Sequence, residues 1–213
     1  MSDAAEEQER LEGLLAERQR TLGEEHPETL SAMVGLADSL WAQGRLIAAR
    51  KLENQVVAGR RRILGEQHFD TLKATGKLAV TMAAQGDLIE ARALQERVVE
   101  GMRGLYGDHG IETLRAINNL AGTVSAQGDL DAAGELLESV VAATCREFGE
   151  QHADSLTAMG NLAVVLWQQQ NRDEAYALQQ EVVDLLRRGH GRSTQQTCAA
   201  EEFLALMERD AGF

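Results

Sequence analysis

The chain has 213 residues, is 44% hydrophobic but only 4% aromatic, and contains one proline, a composition typical of an alanine- and leucine-rich all-helical protein. Its net charge of -13 disfavours nucleic acid and anionic membrane as main partners. No apolar run approaches the roughly 18 residues of a membrane span, and the acidic N-terminus is unlike a signal peptide. Cys145 and Cys198 form neither a metal-binding spacing nor a disulfide framework, so a reduced cytoplasmic location is expected.

A unit of 42 residues repeats along the chain without an insertion. Its markers are an apolar or aromatic residue before a glycine, a Leu-Ala pair and a Val-Val pair. The glycines are Gly23, Gly65, Gly107 and Gly149, and the spacing continues to His190-Gly191, where the glycine alone is kept. A fixed period of this size indicates a stacked repeat array. We therefore predict one solenoid domain over 1–213, with full repeats at 23–64, 65–106, 107–148 and 149–190.

The first 22 residues are predicted to form a capping helix, from about residue 4 to residue 21. Leu14 and Leu15 occupy the register of the later Val-Val pairs, so this helix corresponds to the second helix of an incomplete repeat. Its charged surface fits the solvated end of an array. A longer array cut at this point would give the same pattern, and both interpretations remain open.

Each full repeat is predicted to contain two helices. Pro27 suits a first helical position, and Gly44, Gly86 and Gly128 end the first helices. Gln170 replaces this glycine in the fourth repeat, which predicts a looser turn there. The predicted helices are residues 27–43, 45–63, 69–85, 87–105, 111–127, 129–147, 153–169 and 171–188. A last helix over 194–210 is expected to cap the C-terminal segment, 191–213.

These residues resemble the tetratricopeptide repeat (TPR), and the 42-residue period with turns such as LGEEHPETL resembles the kinesin-light-chain subclass. Asn118-Asn119-Leu120-Ala121 matches the NNLA signature of that subclass in full, and Gly160-Asn161-Leu162-Ala163 matches it in part. The resemblance covers about 23–188, with Gly35 and Lys77 departing from the signature. It implies an all-α, right-handed α-α superhelical solenoid of TPR hairpins that holds a peptide or partner helix in a concave groove.

The solvent-facing positions of the first helices can be derived from helix geometry alone. At 100° per residue, Leu114, Ile117, Leu120, Ala121 and Val124 form one buried face. The opposite positions in the four repeats, which we call the stripe, are Ser31, Val34, Gly35, Asp38 and Trp41; Lys73, Gly76, Lys77, Val80 and Ala83; Arg115, Asn118, Asn119, Gly122 and Ser125; and Thr157, Gly160, Asn161, Val164 and Trp167. Stacking would place these positions side by side across the array.

Cations and glycines are the first two signals in the stripe. Lys73, Lys77 and Arg115 face the single acid Asp38, which favours an acidic segment of a ligand, although a solvated mixed face would look the same. The four glycines each cost a helix about 1 kcal/mol relative to alanine. They therefore indicate close backbone approach, either by a ligand or by a neighbouring helix.

Amides and tryptophans are the other two signals. Asn118, Asn119 and Asn161 can each donate and accept hydrogen bonds, as a peptide backbone does, and such asparagines clamp extended ligands in the resembling family. Bonding between repeats is the alternative role. Trp41 and Trp167 are candidate interface anchors, and packing against the following helix is the alternative for both.

Catalytic and metal-binding patterns are not found. His26, His68 and His152 follow the repeat register at helix starts, too far apart to share a metal, which favours a turn or N-cap role. His109 and His190 have no nearby cysteine and no HExxH-like spacing. Cys198 shares the register of Leu30, which predicts a small core residue, and Cys145 has no paired histidine. We expect no enzyme activity and no cofactor.

Three functions remain open on the sequence. The first is a scaffold that binds a peptide or protein segment along the stripe. The second is a regulatory or sensor segment of a larger protein, for example one linked to an NTPase domain. The third is a self-assembling solenoid, that is, a homo-oligomer, because unpaired repeat ends can stack on each other.

Overall fold

The computed structural model describes residues 3–189 and 194–211, and within these ranges all regular structure is helical. The chain divides into two compact units between Leu105 and Tyr106, which are described separately below as unit 1 and unit 2. The predictions made for His190 and Gly191 lie outside the described residues. The single-domain boundaries remain a prediction.

Ten helices occur in the described residues. Unit 1 contains α1 (Asp3–Leu22), α2 (Pro27–Ala42), α3 (Leu46–Leu64), α4 (Phe69–Ala84) and α5 (Leu88–Tyr106), except for the last residue of α5, which is the first of unit 2. Unit 2 contains α6 (Ile111–Ala126), α7 (Leu130–Phe148), α8 (Ala153–Gln168), α9 (Arg172–Gly189) and α10 (Gln195–Ala211). Every predicted helix is present and agrees with its predicted range to within one residue at each end. The even-numbered helices from α2 to α8 are the first helices of the four repeats.

Histidine side chains begin three of the first helices, which confirms their predicted capping role. The Nδ1 atoms of His26, His68 and His152 accept the backbone N–H two residues later, at 3.2, 3.1 and 3.3 Å. Each bond satisfies one of the donors that a helix start leaves without an intrahelical acceptor. Gly110 holds this place before α6 and has no side chain to do so.

A hydroxyl bond that the sequence analysis missed fixes the turn before three of the four first helices. Thr29, Thr113 and Ser155 donate to the carbonyl oxygens of Gly23, Gly107 and Gly149, over 2.7–2.8 Å. These glycines have positive φ (90°, 75° and 91°), a backbone conformation that glycine adopts readily. In the second repeat the equivalent hydroxyl, that of Thr71, is buried and has no partner among the described residues. A hydroxyl residue recurring every 42 positions was the signal for this bond.

The predicted loosening of the turn at Gln170 is wrong. Gln170 adopts φ 68°, as the glycine of the other repeats would. Its N–H bonds to the Trp167 carbonyl at 3.2 Å, and the Asn171 N–H bonds to the Leu166 carbonyl at 2.9 Å. This turn therefore forms the same hydrogen bonds as in the third repeat. Its free-energy cost is the left-handed backbone conformation of Gln170, which is unfavourable for a residue with a Cβ.

Small residues let the second helix of a repeat approach the first. In unit 1, a Cβ on Gly59 would lie 2.8 Å from Leu30 Cδ2, and one on Gly101 would lie 2.7 Å from Leu72 Cδ1. Leu30 and Leu72 are buried beneath these glycines. The core of unit 2 forms in the corresponding place, from Leu156, Met159, Val182, Leu185 and Leu186.

Cys198 is exposed, so its prediction as a small core residue is wrong. Its register equivalents Leu30 and Leu72 are covered by the second helix of their own repeat, and within the described residues no such helix follows α10. Ala205 is exposed for the same reason, whereas Ala121 is fully buried. The face of α10 that meets α9 is instead closed by Thr197 and Met207, both fully buried.

Candidate functional site

Lys77 is paired within the stripe of unit 1. Its Nζ lies 2.5 and 2.6 Å from the two carboxylate oxygens of Asp38 and so links α4 to α2. Lys73 is exposed on the same helix, with its Nζ 5.6 Å from the ring centroid of Phe69. Lys77, one of the two lysines predicted to bind a ligand, is therefore already paired with Asp38, the one acid of the stripe.

Arg115 is paired more completely within unit 2. Its Nε and Nη2 donate to Asp154 Oδ1 and Oδ2 at 2.7 and 2.9 Å, and its Nη1 donates to Glu112 Oε1 at 3.0 Å. The hydrogen bond to Asp154 raises the pKa of Arg115 above its ordinary value, so the group stays charged. Such a bidentate pair with carboxylate is strong and directional.

The predicted excess of positive charge is therefore wrong for the stripe of unit 2, whereas in unit 1 Lys73 adds one positive charge beyond the Lys77–Asp38 pair. Arg115 meets two carboxylates, and Lys77 meets one. The sequence analysis missed Asp154 and Glu112 because both lie in the first turn of a helix and outside the positions opposite the buried face. The sequence did carry a signal for both pairs. Lys77 follows Asp38 by 39 residues, and Asp154 follows Arg115 by the same number, which is one repeat less about one helical turn.

Asn118 and Asn161 bond to each other across the first helices of unit 2. Asn161 Nδ2 donates to Asn118 Oδ1 at 3.1 Å, and Ser125 donates to Gln168 Oε1 at 3.0 Å further along the same helix pair. The alternative role in bonding between repeats is therefore the one observed for these two asparagines. Asn119 is exposed and forms no side-chain hydrogen bond with any described residue. Its amide is available to a ligand.

The two tryptophans differ in their surroundings. Trp41 in unit 1 is 44% exposed at the end of α2. Trp167 in unit 2 is half-buried, and the Arg172 guanidinium stacks over its ring at 3.7 Å from the centroid. Trp167 thus packs against the helix that follows it, which was the alternative considered for both residues.

The stripe glycines are not explained by tight helix packing. A Cβ at Gly35 or Gly76 would make an ordinary contact at 3.7 Å with a side chain of a neighbouring helix. At Gly122 and Gly160 it would meet nothing within 4 Å. Helix packing therefore does not require glycine at these two positions of unit 2, and the space in front of the backbone is open.

Two cavities lie along the first helices of unit 2. One, of about 210 Å³, lies between α6, α7 and α8, and Arg115, Asn118, Asn119, Asp154 and Thr157 line it. The other, of about 340 Å³, lies between α8, α9 and α10. Corresponding residues of the 42-residue repeat line both, so they are one crevice repeated. The equivalent crevice in unit 1, beside Asp38 and Lys77, has room for only about 10 Å³.

The described residues provide neither a metal-binding cluster nor a membrane-spanning helix. Within the described part of the chain, no group of three His, Cys, Asp or Glu side chains is placed to hold a metal ion. Across 3–189 and 194–211, no helix is both long and apolar enough to cross a membrane. Burial raises the pKa of the Cys145 thiol, which opposes formation of a reactive thiolate.

Helical hairpins of fixed length, with a repeated crevice along their first helices, define an all-α solenoid of the kind that presents a surface to other proteins. A family model described as tetratricopeptide repeat matches residues 2–62, 70–146 and 112–188. The chain belongs to the tetratricopeptide repeat family.

Solved structures agree with this assignment. Two crystal structures of a putative kinesin light chain from Podosopora anserina, with nearly identical TPR-like repeats, are each 30% identical to this chain. Their TM-scores are 0.71 and 0.69; the matches cover 87% and 88% of this chain and 87% and 89% of those chains. The predicted kinesin-light-chain-like subclass is therefore confirmed.

More distant structures show the fold alone. BtubC (BKLC) from P. vanneervenii has a TM-score of 0.77 at 16% identity, covering 100% of this chain and 85% of that one. The apo form of RapI has a TM-score of 0.67 at 12% identity, covering 92% of this chain and 76% of that one. A comparison with curated protein sequences gives no significant match.

Proposed function

We propose that this protein is a non-catalytic scaffold that binds an extended peptide or protein segment along the stripe of unit 2. TPR proteins generally serve as protein-interaction scaffolds, which is the broader statement the family supports. The observation that carries the proposal is the polar cavity of about 210 Å³ beside the exposed amide of Asn119. In this proposal, the cavity is one part of the predicted concave groove.

The cavity fits a segment recognised through its backbone. After the internal bonds are counted, Asn118 keeps its amide donors, Asn161 keeps its amide oxygen, and Asn119 keeps both. A peptide backbone offers one donor and one acceptor per residue, which these groups complement. The open space at Gly122 and Gly160 lets a backbone approach the helices closely.

An acidic segment, the ligand chemistry expected from the sequence, loses its main support in unit 2. Arg115 brings one positive charge, whereas Asp154 and Glu112 bring two negative charges within hydrogen-bond distance of it. An incoming carboxylate would have to displace Asp154 from a bidentate pair. The proposed segment is therefore neutral or basic where it meets this cavity.

The test begins with an array of unrelated 12-residue peptides that span acidic, neutral and basic sequences. Peptides that bind are then titrated against Asn119→Ala, with Gln180→Ala as the control, because Gln180 is an exposed amide on α9 outside the stripe. Loss of one backbone contact worth about 1 kcal/mol weakens binding about fivefold. Equal affinities for both variants, or a preference confined to acidic peptides, would contradict the proposal.

The other two hypotheses are not favoured by a particular feature of the site. No described group distinguishes a regulatory segment of a larger protein from a free-standing scaffold, since both would use the same surface. Self-assembly by stacking of repeat ends is opposed by the acidic residues Glu7 and Glu17 on α1 and Glu201 on α10. The cytoplasmic location remains a prediction.

A further inference from the structure

The cavity of about 340 Å³ in unit 2 differs in chemistry from the polar one beside it. Its wall is mostly apolar and includes Leu156, Val164, Val182, Leu186 and Phe203. Leu156, Val182 and Leu186 belong to the buried core, whereas Val164 is 37% exposed, so the cavity joins the core to the surface. Its volume is at the lower end for ligand pockets, which are themselves mostly apolar.

Substitutions at equivalent repeat positions explain this difference. Arg115 of the polar cavity corresponds to Thr157 of the apolar one, Asn118 to Gly160, and Thr144 to Leu186. Two of the three exchanges shorten the side chain, and all three remove a charge or reduce polarity. The same backbone crevice therefore becomes larger and apolar at its second occurrence.

Two amides on this cavity each donate one hydrogen bond within the protein and keep an oxygen without a donor. Gln179 is 2% exposed; its Nε2 donates to the Ala200 carbonyl at 2.8 Å, and its buried Oε1 has no partner among the described residues. Asn161 donates to Asn118, which leaves its own amide oxygen as an acceptor at the same cavity. A buried acceptor without a donor is costly, so this cavity is complemented by a group that brings N–H donors.

We propose that the apolar cavity holds one large apolar side chain of the bound segment, whose neighbouring backbone N–H groups donate to Gln179 and Asn161. This inference rests on the proposed function and adds a sequence requirement to it. First helices of adjacent repeats pack about 8–10 Å apart, which an extended chain spans in about three residues. The apolar residue therefore lies about three positions from the residue at the polar cavity.

The direct test uses blocked decapeptides of serine and glycine that carry Leu, Phe or Ser at the central position. Methyl NMR shifts of Val182 and Leu186 report occupancy of the cavity. The Leu and Phe peptides are expected to give saturating shifts and to bind about tenfold or more tighter than the Ser peptide. N-methylation of the central residue is expected to weaken the Leu peptide several-fold. Absence of methyl shifts up to about 5 mM Leu or Phe peptide overturns the proposal.

A filled-cavity variant gives the second test. Gly160→Leu places a side chain in the cavity where nothing lies within 4 Å of a new Cβ, and it replaces a helical glycine, so the fold is expected to be kept. Gly104→Leu is the matched control, since Gly104 is also an exposed helical glycine with open space and lies outside both the stripe and the cavity. Binding of the Leu peptide is expected to fall about tenfold for Gly160→Leu and little for Gly104→Leu.

The outcomes separate this inference from the proposed function. If array peptides lose affinity with Asn119→Ala while Gly160→Leu binds them unchanged, the scaffold function stands and the apolar subsite is wrong. If neither variant changes their affinity, both are wrong. If Gly160→Leu lowers affinity for apolar peptides and Asn119→Ala does not, the subsite stands and the backbone contact at the polar cavity is wrong.

Discussion

At the level of single residues, the burial of one acidic side chain destabilises the fold. Glu53 of α3 is 7% exposed; its Oε1 accepts from the Thr81 hydroxyl at 2.9 Å, and its Oε2 has no partner among the described residues. Burial raises the pKa of Glu53, against a smaller opposing effect of the Thr81 bond, with Asp38 raising it and Lys77 lowering it. In unit 2 the same two repeat positions hold Leu137 and Val165, an apolar pair.

Replacing Glu53 and Thr81 together by Leu and Val is expected to stabilise the protein at pH 7 by about 1 kcal/mol or more, because a buried charge with an unbonded oxygen is removed along with its partner. The pKa of Glu53 is higher in the folded than in the unfolded protein. The contribution of Glu53 to wild-type stability therefore falls as the pH rises above about 4.3, where an unfolded glutamate titrates.

Urea unfolding of wild type and the double variant at pH 4 and pH 7 measures this difference. The gain is expected to be larger at pH 7. A gain that is equal at both values, or larger at pH 4, would show that the carboxylate is not the source of the cost.

Gln170 offers a second prediction at this scale. Gln170→Gly is expected to stabilise unit 2 by about 1 kcal/mol, because the left-handed backbone conformation penalises a residue with a Cβ. The reverse change at the equivalent turn, Gly128→Gln, is expected to destabilise it by a similar amount, since Gly128 has φ 90°. Thermal melts of both variants measure the pair, and a Gln170→Gly variant that melts lower than wild type would refute the argument.

The first helices were predictable because the residues that begin and end them recur in most of the repeats. Histidine or proline at the start and glycine at the end fix each first helix of unit 1, as at His26, Pro27 and Gly44. The buried face followed from periodicity alone. The pairing of Arg115 with Asp154 did not, because it joins different repeats and depends on how far one helix is shifted along its neighbour.

Predictions also failed where a repeat position lacked its usual neighbour. Cys198 and Ala205 share a register with buried residues, yet both are exposed, because burial at these positions comes from the second helix of the same repeat. The two cavities of unit 2 likewise could not be predicted from the sequence. Their volumes depend on several side chains from three helices, and no single position reports them.

Close packing of the helix pair gives a prediction at the level of the element. Ala121 of α6 is fully buried, so Ala121→Leu is expected to destabilise unit 2 by about 1–3 kcal/mol through overpacking. Ala205→Leu adds the same atoms at the equivalent but exposed position of α10, and a change within about 0.5 kcal/mol is expected there. Chemical denaturation measures both, and equal effects would show that the helix register is wrong.

At the scale of the whole molecule, acids replace interior residues on both terminal helices. In α1, Glu7 and Glu17 occupy the register of the buried residues Ala49 and Gly59. In α10, Glu201 occupies the register of the buried residues Met33 and Met159, and it bonds to Arg187 at 2.7 Å. Another helix packed on either face would bury these charges, which is unfavourable without a partner.

The protein is therefore expected to remain monomeric, which multi-angle light scattering at about 100 μM can measure, a concentration at which a contact worth about 5.5 kcal/mol would be half-formed. A variant carrying Glu7→Ala, Glu17→Gly, Cys198→Leu and Glu201→Met restores interior residues at both ends and is expected to associate. Oligomers of the wild type, reversed by salt or not, would favour the self-assembly hypothesis instead.

If the crevice binds a peptide as proposed, its repetition at fixed positions would make recognition by this chain modular. Five exchanges, Thr157→Arg, Gly160→Asn, Leu186→Thr, Gln196→Asp and Ala199→Thr, would copy the lining of the polar cavity onto the apolar one. None of these positions supplies a cap or a turn, so the backbone could stay as it is. A change of ligand would then require substitutions at known positions and no change of fold. The protein would thus be a starting point for designing binders whose preference for each ligand residue is set separately.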